Sequence, residues 1–316
     1  MDIISALKKI EDPRQQGKID YSLVNILFIS ICAIFNSAET WEDIAMYAKY
    51  REKWLSKYID MSPGIPSSYT FRRVFGLISP DEISQLTQDI ISKFFTSQKQ
   101  HICIDGKSMR GNKSKAKGIR PVQIVSAWSG TLGISLSEVS VNKKSNEITA
   151  IPLLLDLLDI CGSTISIDAM GTQKEIAEKI VDKNAHYVLA LKGNKGKFFD
   201  TVKSYMQEHG QTPQDLKSDY FDESHGRFVR RRYFAVDIPD HIQEIHEFKN
   251  LKSIIVTENI SMRSADAPVT SEWRYFITDH DKSEALIPDY VRGHWVLKTS
   301  YTGNLMFIWV MIKIRS

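Results

Sequence analysis

Cysteine is scarce in this chain, which has only Cys32, Cys103 and Cys161 among its 316 residues. Three widely separated cysteines form neither a disulfide framework nor a zinc-binding pattern, so a reducing cytoplasm is favoured. No stretch approaches the roughly 20 unbroken apolar residues of a membrane helix. The longest apolar run, at 26–35, is typical of a core helix. The first residues lack the basic-then-apolar order of a secretory leader. We therefore expect a cytoplasmic protein with no membrane partner.

What is present is an ordinary globular composition, with 42% hydrophobic and 25% charged residues. A chain of 316 residues has room for about two domains. The net charge of +3 permits a nucleic-acid partner without demanding one. No internal repeat or low-complexity tract interrupts the chain.

Residues 1–97 are predicted to form an all-helical domain. Apolar residues recur at helical spacing over 20–36, 41–50, 52–58 and 69–77, and a proline at position 80 opens a further helix to about residue 95. The helix at 69–77 carries Arg72 and Arg73 directly after a turn. That helix is either a DNA-reading element or a solvated basic face of a helical bundle, and the residues alone leave both open.

From His101 the pattern changes to an α/β domain over 98–295. Strands are predicted at 101–105, 122–128, 132–141, 163–168 and 186–191, with helices at 145–159 and 172–183. This order gives a mixed sheet in which the first and fourth strands can be neighbours. We expect a β-rich insertion at about 195–280, a helix at 283–295, and a tail, 296–316, with neither helical nor strand patterning.

Two aspartates stand at matching places in this pattern. Asp105 ends the apolar run HICI and Asp168 ends STISI, and each is followed by small residues. Carboxylate oxygens are the ligands that magnesium or manganese prefers. Two such ions can activate a hydroxyl and stabilise the leaving oxygen of a phosphodiester. The alternative is that each aspartate only caps the turn that follows it.

Basic residues collect near these strand ends and in the insertion. Guanidinium and ammonium groups suit phosphate oxygens, so we expect DNA contacts there, although a solvated strand edge protected by charge explains the arginines equally well. His186 and His294 are favoured as structural residues. The predicted DNA-binding residues are Lys107, Arg110, Lys192, His225, Arg227, Arg230 and Arg231, together with Arg72 and Arg73.

Several motifs in one order resemble the H-repeat-associated DDE transposases of bacterial insertion sequences. They are IDGK at 104–107, KSNEITAIP at 144–152, DAMGTQKEIAEKI at 168–180, ALKGN at 190–194, SHGR at 224–227 and RGHW at 292–295. The resemblance implies a ribonuclease-H-like fold and Mg²⁺- or Mn²⁺-dependent DNA cleavage and strand transfer. By it, Asp105 and Asp168 are the first two catalytic acids and metal ligands. It also implies binding to the element's terminal inverted repeats and a homodimer on DNA.

The third acid of that family belongs to a helix reading HW-x-(I/V)-E-N-x-L-H-W, and here Lys298 stands at the position of the glutamate. Allowed codons for residues 296–316, read two bases later, translate as IENQLHWKLDVYLGDDKDPI. One lost base after Trp295 therefore accounts for the unpatterned tail. The expectation is a transposase that is inactive in this form. The alternatives are a non-catalytic DNA-binding remnant that recognises element ends, or a nuclease taking a third acid from Glu147 or Glu223.

Overall fold

The computed structural model of the chain describes residues 3–36, 38–79, 82–83, 85–86, 89, 99–108, 123–130, 134–141, 147–209, 211–224, 227–240, 242, 248–262 and 268–300. They fall into two compact units. One holds the N-terminal helices up to residue 97, and the other holds most of the sheet and its helices up to residue 298. The domain limits drawn from the sequence stay predictions.

The N-terminal helices are α1 (Ile3–Leu7), α2 (Leu23–Phe35), α3 (Trp41–Leu55) and α4 (Ser68–Leu77). Three of them begin where a hydroxyl side chain accepts a backbone N–H of the first turn, at Ser22, Thr40 and Ser67. The segment predicted as two helices over 41–58 is the single helix α3. Ile26, Ile44 and Phe71 are fully buried in one apolar core that joins these helices.

One mixed sheet of nine strands organises the second unit. The strands are β1 (His101–Ser108), β2 (Gln123–Ser129), β3 (Ile134–Val141), β4 (Thr164–Ile167), β5 (His186–Leu191), β6 (Leu216–Ser224), β7 (Arg227–Asp237), β8 (Ser253–Met262) and β9 (Thr270–Thr278). Their spatial order is β3-β2-β1-β4-β5-β9-β8-β7-β6. The parallel pairs are β1 with β4 and β4 with β5. The predicted adjacency of the first and fourth strands is therefore confirmed, as is the ribonuclease-H-like fold class.

The helices that accompany this sheet are α5 (Glu147–Asp156), α6 (Lys174–Asp182), α7 (Lys197–His209) and α8 (Ile287–Ser300). Pro152 lies inside α5. α6 buries Ile176, Ala177 and Ile180 on one face, as its amphipathic pattern predicts. α8 continues to Ser300, past the predicted end at residue 295.

The inserted strands do not form a separate sheet, because β9 pairs antiparallel with β5 and continues the same sheet. β6 was not predicted, and it makes β7 an interior strand flanked by β6 and β8. The interpretation of the arginines of β7 as an unpaired strand edge is therefore wrong. The predicted helix from about 80 to 95 lies largely outside the described residues, as do residues 109–122. Within the described part of the chain, no helix is long and apolar enough to cross a membrane.

Candidate metal and nucleic-acid site

Asp105 and Asp168 lie at the same level of two adjacent parallel strands. β1 and β4 pair with a constant offset, ending at Ile104 opposite Ile167, and the two aspartates are the next residues along each chain. Residues at the same level of neighbouring parallel strands project from the same face, about 4.8 Å apart along the hydrogen-bonding direction. Both aspartates are half-buried. The register therefore places the backbones of the two predicted residues side by side where β4 ends.

The turn after β4 holds Asp168 in place. Its Oδ1 atom accepts the Met170 N–H at 3.1 Å, so the turn-capping role is real. This hydrogen bond leaves Asp168 aligned with Asp105, so turn capping and metal binding are compatible roles for Asp168. Gly171 is required at the end of the turn, because a Cβ there would lie 2.3 Å from Cγ2 of Ile167 and 2.8 Å from Cδ1 of Ile151. The glycine lets the turn pack directly on β4 and α5.

The loop after β5 is fastened to the same turn. The Asn194 side-chain amide donates to the Ala169 carbonyl at 2.9 Å, and the Lys195 ammonium donates to Oε1 of Gln173 at 3.0 Å. Thr172, fully buried, donates to the Ala190 carbonyl at 2.6 Å. Lys192 at the start of the loop is exposed. Two polar side chains of this loop, Asn194 and Lys195, therefore support the residues beside Asp168.

A cluster of polar side chains, His101, Ser166 and His294, joins β1, β4 and α8 near the aspartates. Nε2 of His101 lies 2.8 Å from Oγ of Ser166, and Nδ1 of His294 lies 3.2 Å from the same oxygen. Burial lowers the pKa of His101 to about 4, so its imidazole is neutral near pH 7. The prediction that His294 is structural agrees with its 4% exposure and its bond to Ser166.

Helix α8 runs alongside β4 in the same direction. Tyr290 makes a side-chain hydrogen bond with Thr164, and one turn later His294 reaches Ser166. Four helical residues advance about 6 Å, and two strand residues advance about 6.6 Å. Extended by one more turn, this spacing predicts that the backbone of residue 298 lies at the level of Asp168.

Three arginines of β7, Arg230, Arg231 and Arg232, are paired with acids on the neighbouring strands. Arg230 makes a bidentate contact with Asp219, at 2.9 Å and 2.6 Å. Arg231 lies 3.3 Å from Asp222, and Nε of Arg232 donates to Glu258 at 2.6 Å. The side chain of Glu258 is only 8% exposed. These arginines therefore hold β6, β7 and β8 together, and their charge is largely offset within the sheet.

The other predicted DNA-binding residues divide into exposed and undescribed ones. Arg72 and Arg73 are exposed on α4 and form no ion pair within the described residues. Lys107 and Arg227 lie in β1 and β7, where the structure fixes only their backbone. Arg110 and His225 lie outside the described residues. Of the exposed set, Lys192 is at the same strand ends as Asp168.

Sequence reasoning missed a second cluster of metal-binding residue types, His186, Asp279 and His280. One ligand atom from each lies within 4.8 Å of the others. Asp279 and His280 are neighbours that lie 93 and 94 positions after His186, and the pairing of β5 with β9 brings them to His186. The spacing of residues along the sequence therefore does not indicate this cluster.

Comparison with known families covers both units. A family model described as DDE_Tnp_1-associated matches residues 4–90, and one described as Transposase DDE domain matches residues 96–297. The chain is 35% identical over 312 residues to the Escherichia coli O157:H7 protein "Putative transposase YncI", covering 94% of this chain and 77% of that protein.

Two further relatives agree with this. "H repeat-associated putative transposase YhhI" of Escherichia coli K12 is 34% identical over 293 residues, covering 90% of this chain and 77% of that protein. "H repeat-associated putative transposase YbfD" of the same strain is 35% identical over 235 residues, covering 74% and 93%. Among solved structures, a piggyBac transposase synaptic complex with hairpin DNA gives a TM-score of 0.40 at 9% identity, covering 99% of this chain and 71% of that chain.

Proposed function

Because this chain belongs to the DDE transposase family, with H-repeat-associated relatives as its sequence predicts, we propose that it descends from an enzyme that cuts and joins the ends of an insertion sequence. The observation that carries this proposal is the register of β1 and β4, which aligns Asp105 with Asp168. These two acids are the proposed first pair of the catalytic site.

The donor chemistry of this pair fits a hard divalent cation, Mg²⁺ or Mn²⁺, since both residues offer carboxylate oxygens at one strand edge. When bound, such ions polarise a phosphodiester and lower the pKa of the attacking water or hydroxyl. The protein's own contribution is positional: the turn after β4 and the loop after β5 fix Asp168, and pairing with β4 fixes Asp105. Lys192 would contact a DNA phosphate at the same edge.

Lys298 is the reason to propose that the chain is inactive. The regular contacts of α8 with β4, Tyr290 with Thr164 and His294 with Ser166, support a position for the backbone of residue 298 beside Asp168. The family resemblance predicts a glutamate at residue 298. Exchanging glutamate for lysine changes the local charge by two units, and the cation repels a divalent metal. We infer that metal binding at Asp105 and Asp168 is weakened and that strand cleavage falls with it.

DNA binding is the property that this form would retain. Arg72 and Arg73 remain exposed for phosphate contacts, whereas Arg230 and Arg231 already have acidic partners. The second candidate function is therefore a non-catalytic protein that occupies the terminal inverted repeats, with a homodimer spanning two ends. Glu223 is not supported as a substitute for the missing third acid. It lies in β6, which is five strands away from β4 in the sheet, or about 24 Å at the usual strand spacing.

A nicking assay on DNA bearing the element's inverted repeats tests this proposal. We expect little or no Mn²⁺-dependent nicking by the chain, and a gain in the Lys298→Glu variant that is abolished by adding Asp105→Asn. Lys298→Gln is the matched control, because it removes the cation without supplying an acid. Nicking by the unaltered chain that disappears on Asp105→Ala would contradict the inactivity while leaving the family role intact.

The origin of Lys298 is testable in the gene. We propose one lost base after codon 295, and the shifted reading beyond that codon should then encode IENQLHW. A gene whose other frames contain no such reading refutes the frameshift.

A further inference from the structure

The polar cluster of His186, Asp279 and His280 lies at the opposite end of the strands from the two proposed catalytic acids. His186 begins β5 and pairs with Thr164 at the start of β4, whereas Asp168 follows the end of β4. The four residues of β4 separate the two levels by about 13 Å. Any ligand of this cluster is therefore distinct from a cation held by Asp105 and Asp168.

The cluster is fixed by the backbone of two paired strands. Asp279 directly follows β9, and its Oδ1 atom accepts the Tyr187 N–H at 2.7 Å, while Oδ2 lies 2.8 Å from Nδ1 of His186. The His280 N–H donates to Oγ1 of Thr278 at 3.1 Å, and Nε2 of His280 lies 2.9 Å from Oγ1 of Thr164. Hydrogen bonds therefore already hold in position the three side chains that would bind a ligand.

Among the described residues, no lysine or arginine forms an ion pair with Asp279. Its side chain is 5% exposed, and its ion-pair partner among the described residues is His186, which carries charge only when protonated. Burying a carboxylate without a cation is costly. A divalent cation would offset the uncompensated charge.

The cluster opens into a cavity that can admit such an ion. The cavity has a volume of about 590 Å³, and His186, His280 and Thr164 line it together with the acids Glu284 and Asp289 and with Lys99. His186 is 45% exposed, so the cluster is reachable from solvent. Glu284 or a water molecule can complete the coordination, since zinc sites with three protein ligands keep one position open.

We propose that His186, Asp279 and His280 form a binding site for a zinc-class divalent cation. Two imidazoles and one carboxylate match Zn²⁺ or Co²⁺ and do not match Mg²⁺, which prefers an all-oxygen shell. If His186 ligates through Nδ1, the proton on that atom moves to Nε2 or to solvent. The bound ion links the start of β5 to the chain leaving β9, and so ties the inserted strands to the strands that carry the aspartates.

Cobalt absorption spectroscopy tests this site without requiring transposase activity. The full-length chain without a polyhistidine tag is titrated with Co²⁺, followed by displacement with Zn²⁺. We expect one Co²⁺ per chain with ligand-field bands, and we expect His186→Ala to weaken binding by about 10–100-fold, as loss of a metal-site partner commonly does. His280→Gln should do the same, with folding checked by circular dichroism.

Two controls separate this site from others. His209→Ala removes an exposed histidine on α7 outside the cluster, and Asp105→Asn with Asp168→Asn removes the proposed catalytic pair. Both variants should keep the Co²⁺ spectrum. The proposal is overturned if the unaltered chain binds no Co²⁺, or if His186→Ala binds it with undiminished affinity. If His280→Gln does not fold, the His186→Ala result decides.

Discussion

Nδ1 of His294 lies 3.2 Å from the hydroxyl oxygen of Ser166, so helix α8 is bonded to strand β4 two residues before Asp168. Nε2 of His101 lies 2.8 Å from the same oxygen and adds β1 to the contact. Each of these three elements also carries one position of the proposed catalytic site. The Ser166 hydroxyl therefore links β1, β4 and α8 close to those positions.

Ser166→Ala should destabilise the sheet unit by about 1–3 kcal/mol, because it leaves buried imidazole nitrogens without this partner. Chemical denaturation followed by circular dichroism measures the change. Ser30→Ala is the matched control, since Ser30 is also fully buried but bonds only the Ile26 carbonyl of its own helix. Equal losses in both variants would contradict a special role for Ser166.

Gly293→Ala should destabilise the fold by about 1–3 kcal/mol through overpacking. A Cβ at residue 293 would lie 2.7 Å from Nδ1 and 2.8 Å from Cε1 of His101, and His101 is itself held by Ser166. Gly76→Ala in α4 is the matched helical control, with nothing within 4 Å of its Cβ. That variant should gain up to about 1 kcal/mol from helix propensity. Thermal unfolding of both variants gives the comparison, and a stabilised Gly293→Ala protein would refute the close packing.

Acidification should destabilise the fold between about pH 6.5 and pH 4 through His101. Its pKa falls from 6.5 to about 4 on burial, so in this range the unfolded chain binds the proton and the folded chain does not. Stability from this group is complete above pH 6.5 and is lost as the pH falls, by about 3 kcal/mol in all. Denaturation midpoints from pH 4 to pH 7 should show a shallower slope in His101→Gln than in the unaltered chain. Identical slopes would show that His101 titrates normally.

Arg72→Ala and Arg73→Ala should weaken binding to DNA more than Arg230→Ala. The first two side chains are exposed and form no ion pair within the described residues, whereas Arg230 is bonded to Asp219. Each lost phosphate contact should reduce the slope of log affinity against log salt by about 1. Fluorescence anisotropy at several salt concentrations measures this. A larger effect of Arg230→Ala would place the DNA on β7 instead.

The strands that carry the two aspartates were predictable because they are short apolar runs ended by polar residues, and family motifs cover both. β6 was not predictable in the same way, since its LKSDYFDES sequence is rich in charge and follows no clean alternation. Two of its acids, Asp219 and Asp222, form ion pairs with β7, and such pairing depends on partners that local patterns do not show. For the same reason, the β7 arginines looked available for DNA.

Contacts between distant segments account for the remaining differences. Ser166 and His294 are 128 residues apart, and His186 and Asp279 are 93 residues apart. Composition and periodicity describe one segment at a time, so they assign such residues to structural roles by default. The end of α8 at Ser300 also differs from the prediction, because helical backbone continues into a stretch without an amphipathic pattern.

Pairing of β9 with β5 has a consequence for anyone shortening this protein. Deleting the segment that runs from β6 to β9 would strip β5 of its antiparallel partner and leave a row of unmet backbone amides and carbonyls along an apolar strand. An unpaired strand edge of this kind forms hydrogen bonds with strands of other chains. A trimmed version of the protein would therefore precipitate or form intermolecular sheets, even with both aspartates intact.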